Sequence, residues 1–494
     1  MLYPAICPYR SQLNTNMRRF EDLPGPKGLP MVGNIFQLDV SRAHLQFEQW
    51  ARDFGPIYRL KMMKRKIIVI GDHTHIAAML RDRPDGFSRT SRLEEIWTEM
   101  GLPRGVFGAN GDEWRRQRRM VMAGFDPVHV KAYFPALQGV AARLAARWSL
   151  AAQRNAPINL QSDLMRFTVD TIAGLAFGAQ VNTLGSDQDV IQNHLDKLFP
   201  ALFKRILSPV PTWRFFKTPA VRSLNQSIRE VMVAVDGFVA QARSRMAHDP
   251  SLRSAPTNLL EAMIAAADLP DSGITDKQVS GNVLTMLLAG EDTTANTLAW
   301  MIYLLWRNPE TLRKATDEVR RVCGAGDSLL MEHMAQLEYV EACAHETMRL
   351  KPVAPQLPMQ TLRETTFGDL VLPKGIVVIG LMRRDAVDEA FIPDAAQFKP
   401  ERWLAEGEPG VSAHSAKRIS MPFGAGPRIC PGRYLALLEM KMAMATLLSR
   451  FDIQSVDTPD GGEARELLQF TMAPVGLSMR LQERHPPRQA DAGW

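Results

Sequence analysis

One short stretch near the C-terminal end combines the residue types from which a metal-binding thiolate site can be built. It runs from Phe423 to Gly432 and contains Arg428, Cys430 and Pro431. An apolar run with helical periodicity follows, which predicts a helix that begins at Cys430 and has Pro431 in its first turn. Unpaired N–H groups at a helix N-terminus favour thiolate over thiol, so Cys430 is a candidate metal ligand. The alternative is an ordinary buried core cysteine.

The residues that frame Cys430 suit a flat cofactor. Gly426 and Gly432 lack the Cβ atoms that would obstruct its approach, and Gly426 can adopt a left-handed conformation. Arg428 can reach a carboxylate on the cofactor rim, and Phe423 can cover the sulfur with an apolar wall. The complete pattern FxxGxRxCxG resembles the haem-thiolate loop of the cytochromes P-450. The resemblance implies haem b with the Cys430 thiolate as axial ligand, a ligand that favours O–O cleavage.

A carboxylate lies beside a hydroxyl in the middle of a long predicted helix. The helix opens at a capping box, Thr275 to Gln278, and meets no proline until Pro309. Such a pair, with ordered water, can deliver protons. The segment matches the P-450 motif AGxDTT, and the resemblance implies that Asp292 and Thr293 activate oxygen. The alternative is a kink at which the hydroxyl bonds back to its own backbone. Small residues would let this helix press against a flat cofactor: Ala289 and Gly290.

Trp114 and Arg118 are spaced i, i+4 in another predicted helix and share one face. This WxxxR pair resembles the one that binds a haem propionate in the P-450 family. Arg115, Arg116 and Arg119 lie off that face and are expected to point outward. They form either an ordinary solvated face or a docking site for an acidic electron donor.

Glu346 and Arg349 form an i, i+3 pair on a helix that ends at a proline, and Arg402 is a third possible partner. These residues resemble the ExxR and PERF motifs of the family, whose carboxylate and two arginines lock the core behind the haem. Trp403 replaces the usual phenylalanine, a change expected to be harmless. Many members carry a further haem-binding arginine where this sequence has Met359-Gln360-Thr361.

Alternation, periodicity and turn residues predict the elements that carry these side chains. They comprise a helix over 43–54, a hairpin of strands 57–61 and 66–70, an irregular stretch over 85–111, mostly helix over 128–266, short strands around a turn at 373–375, and a closing hairpin over 467–481.

A lipophilic substrate pocket is expected between these elements, because the family's pocket-lining segments are apolar here. Phe107 is the candidate for an aromatic ring above the haem, although it could simply pack its own loop. The segment 198–216 could cover the entrance, belong to the core or rest on a membrane surface. The predicted lining residues are Val106, Phe107, Met286, Val353, Leu357 and Met472.

Composition limits the class of protein. The chain has 494 residues, 46% of them hydrophobic, and its 59 basic and 53 acidic residues leave a net charge of +6, which argues against a dedicated nucleic-acid binder. Four cysteines without a paired spacing suggest a reduced, cytoplasmic protein. No N-terminal apolar run approaches the roughly 20 residues that span a bilayer. The expected organisation is a leader over 1–22, one domain over 23–483 and a disordered tail over 484–494.

Four motifs in family order imply a mainly α cytochrome P-450 fold, a helical prism with a small β-rich region, of the soluble bacterial type. The implied function is a monooxygenase that inserts one atom of dioxygen into a lipophilic small molecule. Electrons would come from a separate ferredoxin or flavodoxin-type donor with its reductase. A peroxide-driven haem-thiolate enzyme and a non-catalytic haem sensor or carrier are the alternatives.

Overall fold

The structure is a computed structural model that describes residues 17–179, 181–185, 190–208, 210–324, 329–404 and 413–484. Most of the predicted leader, residues 1–16, and nearly all of the predicted tail, residues 485–494, lie outside the described residues.

Helices dominate the described chain, as predicted. A short π-helical segment, Ile172–Ala176, continues the seventh of them. The helices are α1 (Ala43–Phe54), α2 (His73–Arg81), α3 (Ser91–Glu99), α4 (Gly111–Gly124), α5 (Pro127–Ala132), α6 (Phe134–Gln153), α7 (Leu160–Thr171), α8 (Val190–Leu207), α9 (Thr212–Phe215), α10 (Pro219–His248), α11 (Leu259–Ala267), α12 (Asp276–Arg307), α13 (Pro309–Cys323), α14 (Met331–Gln336), α15 (Glu338–Leu350), α16 (Ala413–Ser420) and α17 (Arg433–Arg450).

The strands of the described residues form four small sheets, with five, three, two and two strands. The largest sheet has the order β1-β2-β8-β5-β3, in which β2 and β8 run parallel. The strands are β1 (Ile57–Met62), β2 (Arg65–Ile70), β3 (Phe87–Ser88), β4 (Ile158–Asn159), β5 (Gln356–Thr361), β6 (Thr365–Phe367), β7 (Leu370–Leu372), β8 (Val377–Leu381), β9 (Phe451–Asp457), β10 (Glu466–Leu468), β11 (Met472–Pro474) and β12 (Ser478–Glu483).

The long central helix α12 begins where its sequence predicts. Thr275 and Gln278 form a capping box, in which each side chain bonds the backbone N–H of the other residue. The helix then continues for 32 residues to Arg307, just before the proline. It is buried on most of its surface, which explains why its apolar residues show little one-sided periodicity. Helix α1 and the antiparallel hairpin β1–β2 also match the prediction.

Three predicted features differ from the structure. The stretch 85–111 is not wholly irregular, because Thr90 caps α3 and Leu93, Ile96 and Trp97 form its buried face. The closing segment is not one hairpin: β10 pairs with β11, whereas β12 pairs with β4 and β9. Finally, α17 begins at Arg433 rather than at the preceding cysteine loop.

Candidate functional site

The cysteine loop reaches the core between a 3₁₀ turn, Gly426–Arg428, and the start of α17. The backbone N–H of Cys430 donates to the carbonyl oxygen of Phe423 at 2.9 Å. Gly432 is the N-cap of α17, so Pro431 precedes the helix and does not occupy its first turn as predicted. Cys430 therefore lies just outside the helix, where the influence of the helix dipole is weaker than expected.

The thiol of Cys430 is not paired in a disulfide. Burial raises its pKa, while the backbone N–H of Gly432 and the cations Arg118 and Arg433 act in the opposite direction. A soft thiol held near positive charge, without a carboxylate acting on it, is suited to bind a metal as thiolate.

The two glycines have different roles from those predicted. Gly426 has φ of +69°, the predicted left-handed conformation. An added Cβ there would meet the carbonyl oxygen of Leu80 at 2.5 Å, so the missing Cβ makes room for the backbone of α2. At Gly432 an added Cβ would meet the ring of Phe125 at 3.5 Å, an ordinary contact. In neither case do the contacts of the described chain show that the glycine is needed for a cofactor.

The predicted propionate-binding residues gather beside the cysteine loop. Arg118 donates to the carbonyl oxygen of Ile429 at 2.8 Å. The guanidinium of Arg428 lies 5.0 Å from the centre of the Trp114 ring and donates to the carbonyl oxygen of Ala109. The structure therefore brings Trp114, Arg118 and Arg428 together, although they come from two distant segments of the chain.

Two further buried arginines lie in this region and belong to none of the motifs. Arg83 is 5% exposed, and the Nε atoms of Arg83 and Arg89 have no hydrogen-bond partner. Burial, together with the charges of Arg83 and Arg428, lowers the pKa of Arg89 well below its usual value. Burial also lowers the pKa of Arg83 to about 10 and, with the neighbouring arginines, that of Arg428 to about 9. The sequence alone did not indicate Arg83 or Arg89, because neither lies at a fixed spacing from a motif.

These cations provide a test of whether the residues fit a haem. Four guanidinium groups, those of Arg83, Arg89, Arg118 and Arg428, are wholly or partly buried close to Cys430 or to one another. Like charges buried together are costly unless an anion neutralises them. A cofactor that is apolar over most of its area and carries two carboxylates at its edge supplies that charge, so the residues fit haem.

A cavity of about 1060 Å³ lies next to this region. Phe107 and Leu357 line it, as predicted, and the guanidinium of Arg89 lies 4.0 Å from the centre of the Phe107 ring. The other predicted residues are not part of the lining. Their neighbours are lining residues instead: Thr285 beside Met286, Ala354 beside Val353, Thr471 beside Met472, and Phe107 itself beside Val106. Met472 is fully buried in the core, and its backbone N–H donates to the carbonyl oxygen of Val353 at 2.8 Å.

Helix α8 forms the roof of the cavity. Phe199 and Phe203 line the cavity, and the Phe199 ring stacks on that of Phe470 with centroids 4.5 Å apart. The first half of segment 198–216 therefore belongs to the core and the cavity roof. Phe215 and Phe216 at its end are 74% and 65% exposed.

Helix α12 supplies the cavity wall that the AGxDTT motif predicts. Ala289 and Thr293 line the cavity. An added Cβ on Gly290 would meet Cδ1 of Ile172 at 2.7 Å, so Gly290 makes room for the π-helical segment and not for the cavity. The hydroxyl of Thr293 donates to the carbonyl oxygen of Ala289 at 2.6 Å, which is the backbone contact of the alternative interpretation.

Asp292 does not contact Thr293 through its carboxylate. Its Oδ1 accepts a hydrogen bond from the Asn296 amide at 2.6 Å, and its Oδ2 accepts one from the hydroxyl of Thr471, a cavity-lining residue. Burial raises the pKa of Asp292, so this carboxyl retains a proton to higher pH than an exposed aspartate. Thr471 is a site residue that the sequence did not reveal.

The predicted ion-pair cluster of Glu346, Arg349 and Arg402 is present. Glu346 is fully buried, and Arg349 donates to both of its carboxylate oxygens at 2.7 and 2.8 Å. Arg402 adds a bond of 3.0 Å. The indole N–H of Trp403 adds another at 2.8 Å, which the usual phenylalanine could not make.

The predicted docking cations have unequal surroundings. Arg115 forms ion pairs with Asp85 and Asp112. Arg116 packs against Gly273, and only Arg119 is exposed. A further exposed cation lies closer to the thiol: Arg433 at the start of α17, whose charge acts on Cys430.

No helix in the part of the chain that the structure describes has the length and apolar character needed to cross a bilayer.

Comparison with known proteins agrees with this geometry. The family model for Cytochrome P450 matches residues 23–480. The structure resembles the crystal structure of the cytochrome P450DA heme domain, with a TM-score of 0.81 and 24% sequence identity over 95% of this chain and 99% of that one. At this identity the likeness shows the fold alone.

Curated relatives are longer proteins. A self-sufficient cytochrome P450 monooxygenase, CYP505E4, from Penicillium freii is 29% identical over 95% of this chain and 44% of the relative. A bifunctional cytochrome P450/NADPH–P450 reductase, ascE, from Acremonium egyptiacum is 29% identical over 89% of this chain and 41% of the relative. The chain thus spans less than half the length of these relatives.

Proposed function

Because the chain belongs to the cytochrome P450 family, we propose that it is a haem-thiolate monooxygenase that inserts one atom of dioxygen into a lipophilic small molecule. One observation carries the proposal. Ala289 and Thr293 line a mainly apolar cavity, and the carboxyl of Asp292, whose pKa is raised by burial, lies next to them and accepts a hydrogen bond from a hydroxyl of the same cavity. An apolar substrate site beside a proton source is what this reaction requires.

Haem b is the cofactor that the buried cations and the thiol fit. When bound, it supplies the iron at which dioxygen is activated. The thiolate of Cys430 would hold the iron, and Arg83, Arg89, Arg118 and Arg428 would bind the two carboxylates. The ion-pair cluster around Glu346 has a structural role, since it ties α15 to the 3₁₀ turn Pro400–Trp403.

The chain's own residues control protons and water at the cavity. The roof formed by Phe199 and Phe203 limits access of bulk water to the wall formed by Ala289 and Thr293. Burial raises the pKa of Asp292, which favours its protonated form, and the hydroxyl of Thr293, although bonded to Ala289, keeps its lone pairs available to accept a proton.

The proposed monooxygenase takes its electrons from a reductase. We infer a donor that draws on NADPH, because the name of one relative couples a cytochrome P450 to an NADPH–P450 reductase. A ferredoxin or flavodoxin with its reductase is the second candidate donor.

A peroxide-driven enzyme is the second candidate function. It is favoured by one observation, the hydroxyl of Thr293 bonded to Ala289 rather than to the Asp292 carboxylate. Such an enzyme needs no timed proton delivery and no reductant.

The first experiment separates these functions. The ferrous carbonyl complex of the purified protein is expected to show the red-shifted Soret band of thiolate ligation. A library of lipophilic compounds is then screened for spectral displacement of water from the iron, and the compound that binds best is used for turnover. Product formed with reductant and dioxygen supports the monooxygenase, whereas product formed only with peroxide supports the second candidate.

Thr293→Ala tests the role of the cavity hydroxyl with the same compound. The variant is expected to retain haem but to divert at least half of the electrons into peroxide or water. The control is Thr446→Val, because Thr446 makes the same kind of bond to a carbonyl oxygen, that of Met442, in the core of α17. Unchanged product per electron in Thr293→Ala would remove this residue from the proton relay.

A further inference from the structure

Glu291 occupies the variable position of the AGxDTT segment and is buried in a cluster with a carboxyl group from another helix. It is 4% exposed, and the amide of Gln192 on α8 donates to its Oε1. The same amide donates to Oδ1 of Asp196 at 2.9 Å. One side chain of α8 thus bridges two carboxyl groups, one on α8 and one on α12.

Asp196 connects this cluster to solvent. The residue is exposed, yet its carboxyl is directed inward, where it hydrogen-bonds that of Glu291. Two carboxyl groups can share such a bond only if one of them carries a proton. The Oε1 atom of Gln192 is buried without a partner, so the cluster has an unused acceptor as well.

The charges around the cluster favour retention of that proton. Arg166 on α7 and Lys197 on α8 act on Asp196 and lower its pKa, although burial raises it overall. Glu291 faces Asp196 and Asp292, and burial together with these two acids raises its pKa well above the usual value. Of the two groups, Glu291 therefore has the greater tendency to keep the shared proton.

Asp292, the next residue along α12, connects this carboxyl cluster to the cavity. Asp292 follows Glu291 on the same turn of α12, and its Oδ2 is bonded to the hydroxyl of Thr471. A hydroxyl can accept a proton on one side and donate on the other. Protonated Asp292 can thus donate to Oγ1 of Thr471 while the hydroxyl hydrogen turns into the cavity that Thr471 lines.

We propose that protons enter at Asp196, are stored on Glu291, and pass through Asp292 and the hydroxyl of Thr471 into the cavity. Each proton that Asp292 gives up is replaced from Glu291 by way of water, because adjacent side chains of a helix do not face each other, and Glu291 is recharged from solvent through Asp196, so the series ends each cycle in its starting state. The inference rests on the proposed function and assigns its proton supply. Glu291 acts through Asp292, because Glu291 itself does not line the cavity.

Oxygen consumption without organic substrate tests the series, because reduction of dioxygen to peroxide or water itself consumes protons. The haem-loaded protein is photoreduced, so that no redox partner is needed, and oxygen uptake is followed from pH 6 to 9 in H₂O and D₂O. Glu291→Gln keeps the shape of the side chain but cannot carry the proton. It is expected to slow uptake several-fold, to raise the solvent isotope effect and to change the pH profile, and Glu291→Asp is expected to restore part of the rate.

Thr471→Val is expected to show the same loss at the other end of the series. The matched control is Thr168→Val, which removes the bond from the Thr168 hydroxyl to the backbone carbonyl of Glu291 and leaves every carboxyl in place. The proposal is overturned if Glu291→Gln keeps the rate, isotope effect and pH profile of the parent protein. It is equally overturned if Thr168→Val loses as much, because the effect is then one of packing.

Infrared spectroscopy reads out the stored proton without any turnover. Near neutral pH, the parent protein and Thr168→Val are expected to show the carbonyl stretches of several protonated carboxylic acids, and the difference spectrum of Glu291→Gln against the parent protein is expected to show the loss of one of them. If the parent protein shows the band of protonated Glu291 but consumes no oxygen, the stored proton is supported. That result would count against the proposed monooxygenase function alone. A spectrum that Glu291→Gln does not change would overturn the storage step.

Discussion

At the scale of single residues, Trp403 shows how one side chain can add to a motif without changing its pattern. Glu346 accepts hydrogen bonds from five donors: two N–H groups of Arg349, Nε of Arg402, the backbone N–H of Lys399 and the indole N–H of Trp403. A fully buried carboxylate is stable only when its oxygens are bonded in this way. The expectation that tryptophan and phenylalanine are interchangeable here considered size alone.

Trp403→Phe is therefore expected to destabilise the protein. A hydrogen bond to a charged group contributes about 1.5–3 kcal/mol, and the smaller ring adds a loss of packing. The matched control is Trp97→Phe, which removes the same atoms but breaks a bond of 3.0 Å to the neutral carbonyl oxygen of Pro103. Denaturant unfolding should show the larger loss for Trp403→Phe. An equal loss in both variants would mean that the charge of Glu346 does not matter.

Glu439 is a second residue whose burial has a measurable consequence. It is 1% exposed on α17, and burial raises its pKa to about 8. The folded protein thus binds a proton that the unfolded chain releases above the ordinary glutamate range. Stability associated with this group is fully present at low pH and is lost as the pH rises towards 8.

Glu439→Gln is expected to flatten this pH dependence. One pKa unit corresponds to about 1.4 kcal/mol, so the loss between pH 5 and 8 in the parent protein is at most about 4 kcal/mol from this residue. Denaturant unfolding of both proteins at pH 5, 6.5 and 8 provides the comparison, with the exposed Glu463→Gln as control. Parallel curves for parent and Glu439→Gln would show that the carboxyl is not neutral in the fold.

At the scale of elements, the fit between α12 and the π-helical segment depends on Gly290. The clash that an added Cβ would make involves Cδ1 of Ile172 at 2.7 Å and Cγ1 at 2.9 Å, atoms of a side chain that has little room to move in the core. Overpacking of this kind costs about 1–3 kcal/mol, whereas glycine-to-alanine replacement in a helix gains about 1 kcal/mol. The free energy lost to the clash is therefore larger than the free energy gained from helix propensity.

Gly290→Ala is accordingly expected to lower the unfolding free energy by about 1 kcal/mol. Ile172→Val removes Cδ1 and should partly restore stability when the two changes are combined, although alone it costs about 0.5–1.5 kcal/mol. A double-mutant cycle measures this coupling. Additive effects would place the role of Gly290 elsewhere, for example at the cavity.

At the scale of the whole molecule, motif residues were predictable and their neighbours were not. Fixed spacings led from Cys430, Trp114 and Arg118 to one site, because local chemistry constrains those spacings. The predicted lining residues Met286, Val353 and Met472 are each one position away from a residue that does line the cavity. Tertiary packing decides how an element is rotated about its axis, and the sequence pattern does not show it.

The buried cations show a second limit of prediction from sequence. Arg83 and Arg89 have no motif, and a basic residue in a sequence is exposed far more often than buried. Only the fold places them beside Arg428. Likewise, Thr471 contacts Asp292 although the two are separated by 179 positions in the sequence.

The charge distribution around the thiol leads to a prediction of where an electron donor docks. Arg119 and Arg433 are exposed, and the charge of Arg433 acts on Cys430. Arg115 is already neutralised by Asp85 and Asp112. An acidic donor is attracted by unpaired cations, so we expect Arg119 and Arg433, rather than Arg115, to guide it.

Charge reversal tests this docking face. Arg119→Glu combined with Arg433→Glu is expected to slow haem reduction by an NADPH-dependent reductase at least tenfold at low salt, while substrate affinity stays the same. Arg115→Glu is the matched control, with a change below twofold. The difference should shrink as salt is added, because the screening length falls to about 10 Å at 0.1 M and to about 3 Å at 1 M. If all three variants are reduced at the parent rate at low salt, electrons enter through another face.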